Sequence, residues 1–456
     1  MKFDRRRLFA ALAGAASATV AAPVFAREGS VTREIGQRAS IDASAVGLQP
    51  NAAEDQSGPF QRAINSAAAL GAELRLAPGL YRAGGLTLPS HAAIAGVAGA
   101  TRIVLAGAPG MLTATGSDYV SLSGLTLDGA SVPLLAQHGL IHIAQGRALR
   151  VVDCEIVNAG GPAIRLEGAQ GEVSGNTIGA SDTAIFCLDA RGVKISGNTV
   201  RSAGNNGILV WRSTPGDDGT LVVDNRIEDI ANKSGGSGQY GNAVNVFRAD
   251  NVIVRGNRIS NAAFSAVRGN AASNLQIVDN TCTGLGEVAL YAEFSFQGAV
   301  IGNNIVDGAA MGVSVTNFND GGRLAVVQGN LIRNLVPRRP AGADPNDDAG
   351  VGIGIEADTL VTGNVIENAP HAGIAAGWGK YLRDVSVTGN IVRGAGYGIT
   401  VSVAPGAGTT LIANNLIAGA QFGAIVGMEW KKPVADLTKD GATRYAQLSL
   451  SGNQVR

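Results

Sequence analysis

The stretch Val173–Val200, VSGNTIGASDTAIFCLDARGVKISGNTV, begins and ends on nearly the same phrase, which sets the same step down at Asn176 and again at Asn198. Self-similarity at a fixed period is the mark of a repeat architecture, so the phrase was followed along the chain as apolar-x-(Gly or Asp)-Asn-x-apolar. It recurs as VVDNRI, VRGNRI, IVDNTC, VIGNNI, VQGNLI, VTGNVI, VTGNIV, LIANNLI and LSGNQV, with asparagines read at 225, 257, 280, 303, 330, 364, 390, 414 and 453. Upstream, VVDCEI is one more copy, with Cys154 in the asparagine slot. The intervals are uneven, as expected when one unit of about 22 residues takes insertions in its loops.

Each unit carries a second phrase of short alternation, such as AIFCLD, GILVW, AVNVF and GVSVT. Period-two alternation with β-branched residues predicts strand, and the Gly-Asn step predicts a tight turn. Coils this short expose strand edges that only the next coil can satisfy. The sequence therefore predicts an all-β, right-handed parallel β-helix of about 12 coils, stacked at roughly 4.8 Å, with the asparagines forming a hydrogen-bonded ladder. Sixty-four glycines and only 5% aromatic residues agree with many corners around a thin aliphatic core, and no sustained helical period follows Leu86.

The beginning of the chain differs. Residues 4–9, DRRRLF, an Ala-rich run from Leu8 to Ala22, and Val24-Phe25-Ala26 have the charged, apolar and cleavable regions of an export signal. Residues 1–26 are thus expected to be a twin-arginine-type signal, the export machinery being a partner and the mature chain periplasmic or secreted; an ordinary secretory signal or an uncleaved anchor is the alternative. The apolar run is too short and too poor in Leu and Ile for a stable membrane span. Residues 27–100 are expected to form an N-terminal segment, with a short helix after Pro59 that turns Phe60, Ala63, Ile64 and Ala67 to one face and caps the open edge of the stack. Residues 101–456 hold the β-helix repeats.

The order DASAVG (42–47), EDQSGPFQRAINSAA (54–68) and LRLAPGLYRAGGLTLPS (74–90) resembles the opening segment of the pectate-lyase superfamily of β-helix proteins. The later units resemble the repeats of periplasmic alginate epimerases, and with the leader the whole chain resembles the twin-arginine-translocated β-helix repeat proteins. The resemblance implies the fold. Chemistry has to be read from a site, because β-helices host lyases, epimerases, hydrolases and adhesins. Asp344-Pro345-Asn346-Asp347 departs from the Asp-Pro-His-Asp signature of alginate epimerases at Asn346, so that site is not carried over.

Aligning the second phrase of each coil puts Ile141, Ile164, Ile185, Ile208, Val244, Val267, Leu290 and Val313 inward. One outward column then reads His142, Arg165, Phe186, Leu209, Asn245, Arg268, Tyr291, Ser314, and the next Ala144, Glu167, Leu188, Trp211, Phe247, Asn270, Glu293, Thr316. Trp211, Phe247 and Tyr291 on this face suggest platforms for sugar rings, with arginine and glutamate suited to acidic sugars. Arg268, Tyr291 and Glu293 are the expected catalytic group of a lyase or uronate epimerase. Trp211, Asn245, Phe247, Asn270, Tyr240, His142 and Arg165 are expected to bind an acidic polysaccharide or oligosaccharide. Glu167 and Glu293 stand too many coils apart to share one bond, which disfavours hydrolysis. The competing readings are a sheet face covered by loops and a non-catalytic β-helix that binds glycan or envelope components.

Insertions at 213–219, 231–242, 317–323 and 335–350 are expected to wall the site. Asp217-Asp218 and Asp347-Asp348 offer oxygens to a hard cation such as calcium, although solvated turns explain them as well. No metal site is assigned, and His138 and His142, placed on one strand, are expected to lie apart. Cys187 and Cys282 point inward and Cys154 sits in the ladder, so no disulfide is expected. Equal numbers of basic and acidic residues, 36 each, leave no stripe for nucleic acid.

Overall fold

The computed structural model describes residues 39–236, 238–316, 322–343 and 347–456; the leader read at 1–26, most of the insertion at 317–323 and Asp344–Asn346 lie outside the described residues. Residues 39–456 form one unit. It is a right-handed parallel β-helix, in which every strand pairing but one is parallel and the exception is the hairpin of Gly423–Glu429 with Lys432–Asp436.

A typical coil has three strands, the second and third running together at Val365–Ala376 and Ile391–Ser402. Lys194–Ser196, Thr199–Arg201 and Asn206–Asp217 are the first, second and third strands of one coil. First strands stack in a column of sixteen, from Ser40–Asp42 to Leu448–Ser451. Twelve of these carry the phrase seen in the sequence. Four earlier ones, at 40–42, 73–75, 93–95 and 121–123, lack an asparagine corner and escaped it.

The ladder is real, and its chemistry explains the phrase. Asn198 accepts at Oδ1 from the backbone N and the Nδ2 of Asn176 (3.0 and 2.9 Å). Its own Nδ2 donates to the Val173 carbonyl (2.9 Å) and to Asn225 Oδ1 (2.9 Å). The pattern runs from Asn176 through 225, 257, 280, 304, 330, 364, 390, 415 and 453. It opens on Cys154, whose backbone N donates to Asn176 Oδ1. Two positions differ from the sequence reading: the ladder residues are Asn304 and Asn415, whereas Asn303 and Asn414 occupy the preceding slot. That slot is left-handed in every coil, as at Gly197 (φ 63°), Asp224 (58°), Asn303 (57°) and Asn414 (56°), which restricts it to Gly, Asp and Asn. A Gly-Asn pair shows which residue is which; an Asn-Asn pair does not.

Along the third strand the register follows the expected columns residue for residue. Ile164 pairs with Ile185, then Ile208, Val244, Val267, Leu290 and Val313, all fully buried. The helix Ser57–Ala69 buries Phe60, Ala63, Ile64 and Ala67 as expected. The three cysteines are free and buried, and burial pushes the thiols of Cys154 and Cys282 up to about 11 and about 12.

The adjacent asparagines give a test. Asn304→Ala orphans the backbone N of Asn280 and the Ile277 carbonyl, both buried, and should lower unfolding stability by about 2–4 kcal/mol in urea titration. Asn303→Gly, in the exposed left-handed slot, should change it by less than about 0.5 kcal/mol.

Candidate functional site

The corner between first and second strands is two residues long in every coil that carries a ladder asparagine, such as Gly197-Asn198 and Gly389-Asn390. Insertions therefore fall at the other two corners, which flank the third strand and wall its outward face. Two of them, residues 129–139 and 231–241, join second to third strands and enclose a cavity of about 630 Å³. Its lining includes His138, Arg165, Asp182, Phe186, Trp211 and Tyr240.

Aromatic rings continue along this face. Arg165 Cζ lies 4.7 Å from the Phe186 ring centre, Phe186 meets Trp211 edge-on at 5.5 Å, and Trp211 meets Phe247 at 5.6 Å. Arg248 closes the row 4.7 Å over Phe247. Arg165 is almost wholly buried. One terminal nitrogen reaches Glu167 (3.4 Å), and its Nε is buried without an acceptor, as is Trp211 Nε1. Both atoms are shielded from solvent, so a ligand in the recess would meet Arg165 and Trp211 through their other atoms.

His142 lies behind this wall, 3.6 Å from Glu167. Burial, then the neighbouring His138 and Arg165, hold its imidazole below the ordinary histidine range, so it is neutral at neutral pH. His138 and His142 are not apart as expected: their rings meet edge-on at 4.5 Å. His138 precedes the strand Ile141–Ala144 and belongs to the 129–139 insertion, which folds it back over His142.

The other expected residues lie elsewhere. Asn245 is buried, and the Arg268, Asn270, Tyr291, Glu293 group, read as exposed, is packed away. Arg268 Nε and Nη2 grip Glu293 at 2.6 and 3.0 Å, and Asn270 Nδ2 donates to the same carboxylate (2.8 Å). Side-chain exposure is 12% for Arg268 and 1% for Glu293. Glu287 joins them 3.8 Å from Arg268, and Arg339 from the 335–350 insertion reaches Glu287 at 3.3 Å. The backbone of Gly238 lies against the Arg268 guanidinium so closely that any Cβ there would clash. Tyr291, over which Arg268 stands at 5.2 Å, packs beside Val288, Met311 and Val351. Burial, then Glu293, pushes its phenol far above the ordinary range, which disfavours it as a base. The expected groove thus divides. Its N-terminal half borders the cavity, and its C-terminal half is an ion-pair cluster beneath two insertions.

The insertion at 213–219 also differs from expectation: its first five residues extend the third strand through a bulge after Trp211 rather than forming a wall. Asp347 and Asp348 stand 3.6 and 3.5 Å from Arg339 and Lys431, and Asp217 accepts from Asn251 (2.6 Å). Among the described residues no three His, Cys, Asp or Glu side chains gather as metal ligands.

The sequence reading missed the 129–139 insertion, and with it His138 and the Leu134–Gln137 rim. Thr126 pairs with Glu155, so that coil runs longer than the basic unit, but Leu125 stands in its ladder slot and the interval had no visible start.

Fold and cavity together define a right-handed β-helix with a built recess on one face. The chain belongs to the right-handed β-helix family: the family described as "Right handed beta helix region" matches residues 111–238 and 213–390, together more than half of the chain. Among solved structures it is similar to the A-module of a mannuronan C-5 epimerase from Azotobacter vinelandii, at 17% identity over 91% of this chain and 99% of that one, with a TM-score of 0.46. A surface adhesin of Streptococcus pneumoniae gives 15% identity, 87% and 95% coverage and a TM-score of 0.46. An exopolygalacturonase from Thermotoga maritima gives 11%, 91% and 91%, and 0.40. Comparison with curated proteins gave no match. No helix among the described residues is long and apolar enough to cross a membrane.

Arg268→Ala should destabilise the protein by about 3–5 kcal/mol at neutral pH, because Glu287 and Glu293 stay buried without their main cation. Burial already raises Glu287 above the usual carboxylate range, and losing Arg268 raises it further. A carboxylate that holds its proton more tightly when folded adds stability that is present at low pH and lost as pH rises. The deficit of the variant, followed by denaturant unfolding across pH, should therefore shrink as pH falls toward the carboxylate range.

Proposed function

We propose that this protein binds a segment of an acidic polysaccharide in the cavity between residues 129–139 and 231–241, and acts on it as a lyase or epimerase. The observation that carries the reading is Arg165, a cation that lines a cavity beside Phe186, Trp211 and Tyr240. Aromatic faces suit the apolar faces of sugar rings, and a guanidinium suits their carboxylates.

Both reactions begin with removal of the proton beside a uronate carboxylate. The electron pair left on carbon spreads into the carboxylate, where Arg165 neutralises it, and His138, whose ring meets that of His142 edge-on, takes the proton. Expulsion of the neighbouring glycosidic oxygen, which takes a proton from water as it leaves, completes lysis; delivery of a proton from water to the opposite face completes epimerisation, and in either case His138 then returns its proton to solvent. Asp182 at the mouth already accepts from Asn205 and Thr183, which leaves His138 to take the proton and favours plain binding as the second reading. The Arg5-Arg6-Arg7 leader supports export of the chain to the periplasm or beyond.

The test incubates the protein with a panel of polyuronates, reading unsaturated products by ultraviolet absorbance and inversion by proton NMR. Arg165→Lys keeps the charge but removes the planar guanidinium fork, and should weaken binding of short uronate oligomers by about 10- to 100-fold with little change in melting temperature. Binding without turnover would select the second reading. Absence of binding to any member of the panel would overturn both.

A further inference from the structure

Two of the three tryptophans and four of the seven lysines lie between Trp378 and Lys439, far from the cavity. They come from insertions at the corner between third and first strands. Trp378, Lys380 and Tyr381 follow the third strand that ends at Ala376, and Trp430, Lys431 and Lys432 form the tip of the hairpin after Gly423–Glu429.

Trp430 is 46% exposed, among the more exposed large apolar side chains, and it sits in a left-handed turn position (φ 55°) that few bulky residues adopt. Its ring lies so close over the backbone of Gly379 that any Cβ there would meet it, and Ser402 Oγ fixes the Gly379 carbonyl from the next coil (2.7 Å). Trp378 and Tyr381 meet the same ring edge-on at 5.5 and 6.3 Å. Lys431 Nζ stands 5.8 Å over Trp378, and Lys380 Nζ 5.5 Å over Tyr381. Carboxylates are also present: Asp348 pairs with Lys431, Asp436 with Lys439, and Glu429 is the register partner of Lys432. Lys380 and Lys432 are exposed, with no carboxylate within ion-pair distance among the described residues.

An exposed ring held from beneath, with exposed ammonium groups unpaired by carboxylates on the same two insertions, is a stacking platform for a flat-faced anionic ligand. Register places the third strands that these residues follow six to eight coils beyond that of Trp211, about 30–40 Å at ~4.8 Å per coil, with the residues themselves at the corner beside that face. We propose that Trp430, with Lys380 and Lys432, forms a second binding site for an anionic glycan, engaging the distal part of a chain whose proximal part lies in the cavity. The ligand class rests on the function proposed above; the site itself rests on its own rings and lysines. Two linked contacts on one polymer raise affinity without any new contact at either site.

The test uses uronate trimers and decamers with the full mature chain and measures binding by calorimetry. Decamers should bind the unaltered protein more tightly than trimers. Trp430→Ala, and independently the double variant Lys380→Ala/Lys432→Ala on exposed side chains, should each cut decamer affinity by about tenfold or more and leave trimer affinity unchanged. Trp211→Ala should weaken trimers and decamers alike. Decamer affinity that survives both Trp430→Ala and the lysine pair overturns the second site. So does loss, in those variants, of binding to vesicles of phosphatidylglycerol with polyuronate binding intact, which would make the patch a membrane contact. If the unaltered protein binds decamers through Trp430 but no trimers, the second site stands and the cavity reading falls.

Discussion

The hydrogen bonds of the asparagine ladder are the constraint from which the remaining architecture follows. Each inner ladder amide gives one proton to the coil before and one to the coil after and receives two from the coil before, so none can be satisfied unless its neighbours hold the same corner. A half-satisfied buried amide is costly, and the corner is accordingly two residues long in every such coil, with contacts of 2.9–3.1 Å, although the chain between successive ladder residues varies from 22 to 38 residues. Length variation is thereby expelled to the two corners flanking the third strand. Whatever the protein builds for recognition has to be built there.

Two neighbouring parts of one face show what that expulsion makes. Insertions at 129–139 and 231–241 stand apart and leave a recess with aromatic walls. Insertions at 231–241 and 335–350 close over Arg268, Glu287, Glu293 and Arg339, whose charges balance at two against two. Such a cluster contributes little net energy compared with apolar packing, but it tolerates few alternative arrangements. Gly238, which packs on Arg268, belongs to the same segment that supplies Tyr240 to the cavity wall.

The sequence made the columns legible to the residue, because side-chain direction alternates strictly and the ladder supplies an origin for counting. It could not reveal exposure, which depends on insertions with no period. Arg268 and Arg165 occupy the same column and read alike, yet one is committed to two glutamates and the other keeps a donor unpaired in a cavity wall. His138 was placed on a strand because its distance from His142 fitted one, whereas a loop reversal brings the two rings together. Trp378 and Trp430 were passed over for a related reason: they lie outside the strands, where column counting assigns no direction.

Confining insertions to the corners beside one strand has a geometric consequence for any ligand. Walls can rise on both sides of the third-strand face, so the walled surface among the described residues is a strip along the axis. Its natural occupant is itself linear and repeating. The coil spacing near ~4.8 Å sets the pitch at which side chains recur, and neighbouring coils can present different side chains to successive units of one chain. Arg165, Phe186, Trp211 and Phe247 follow one another at that pitch, coil by coil, and beyond the closed cluster the rings resume at Trp378 and Trp430. A small ligand would use one of these groups; only a polymer laid along the axis has reason to meet both.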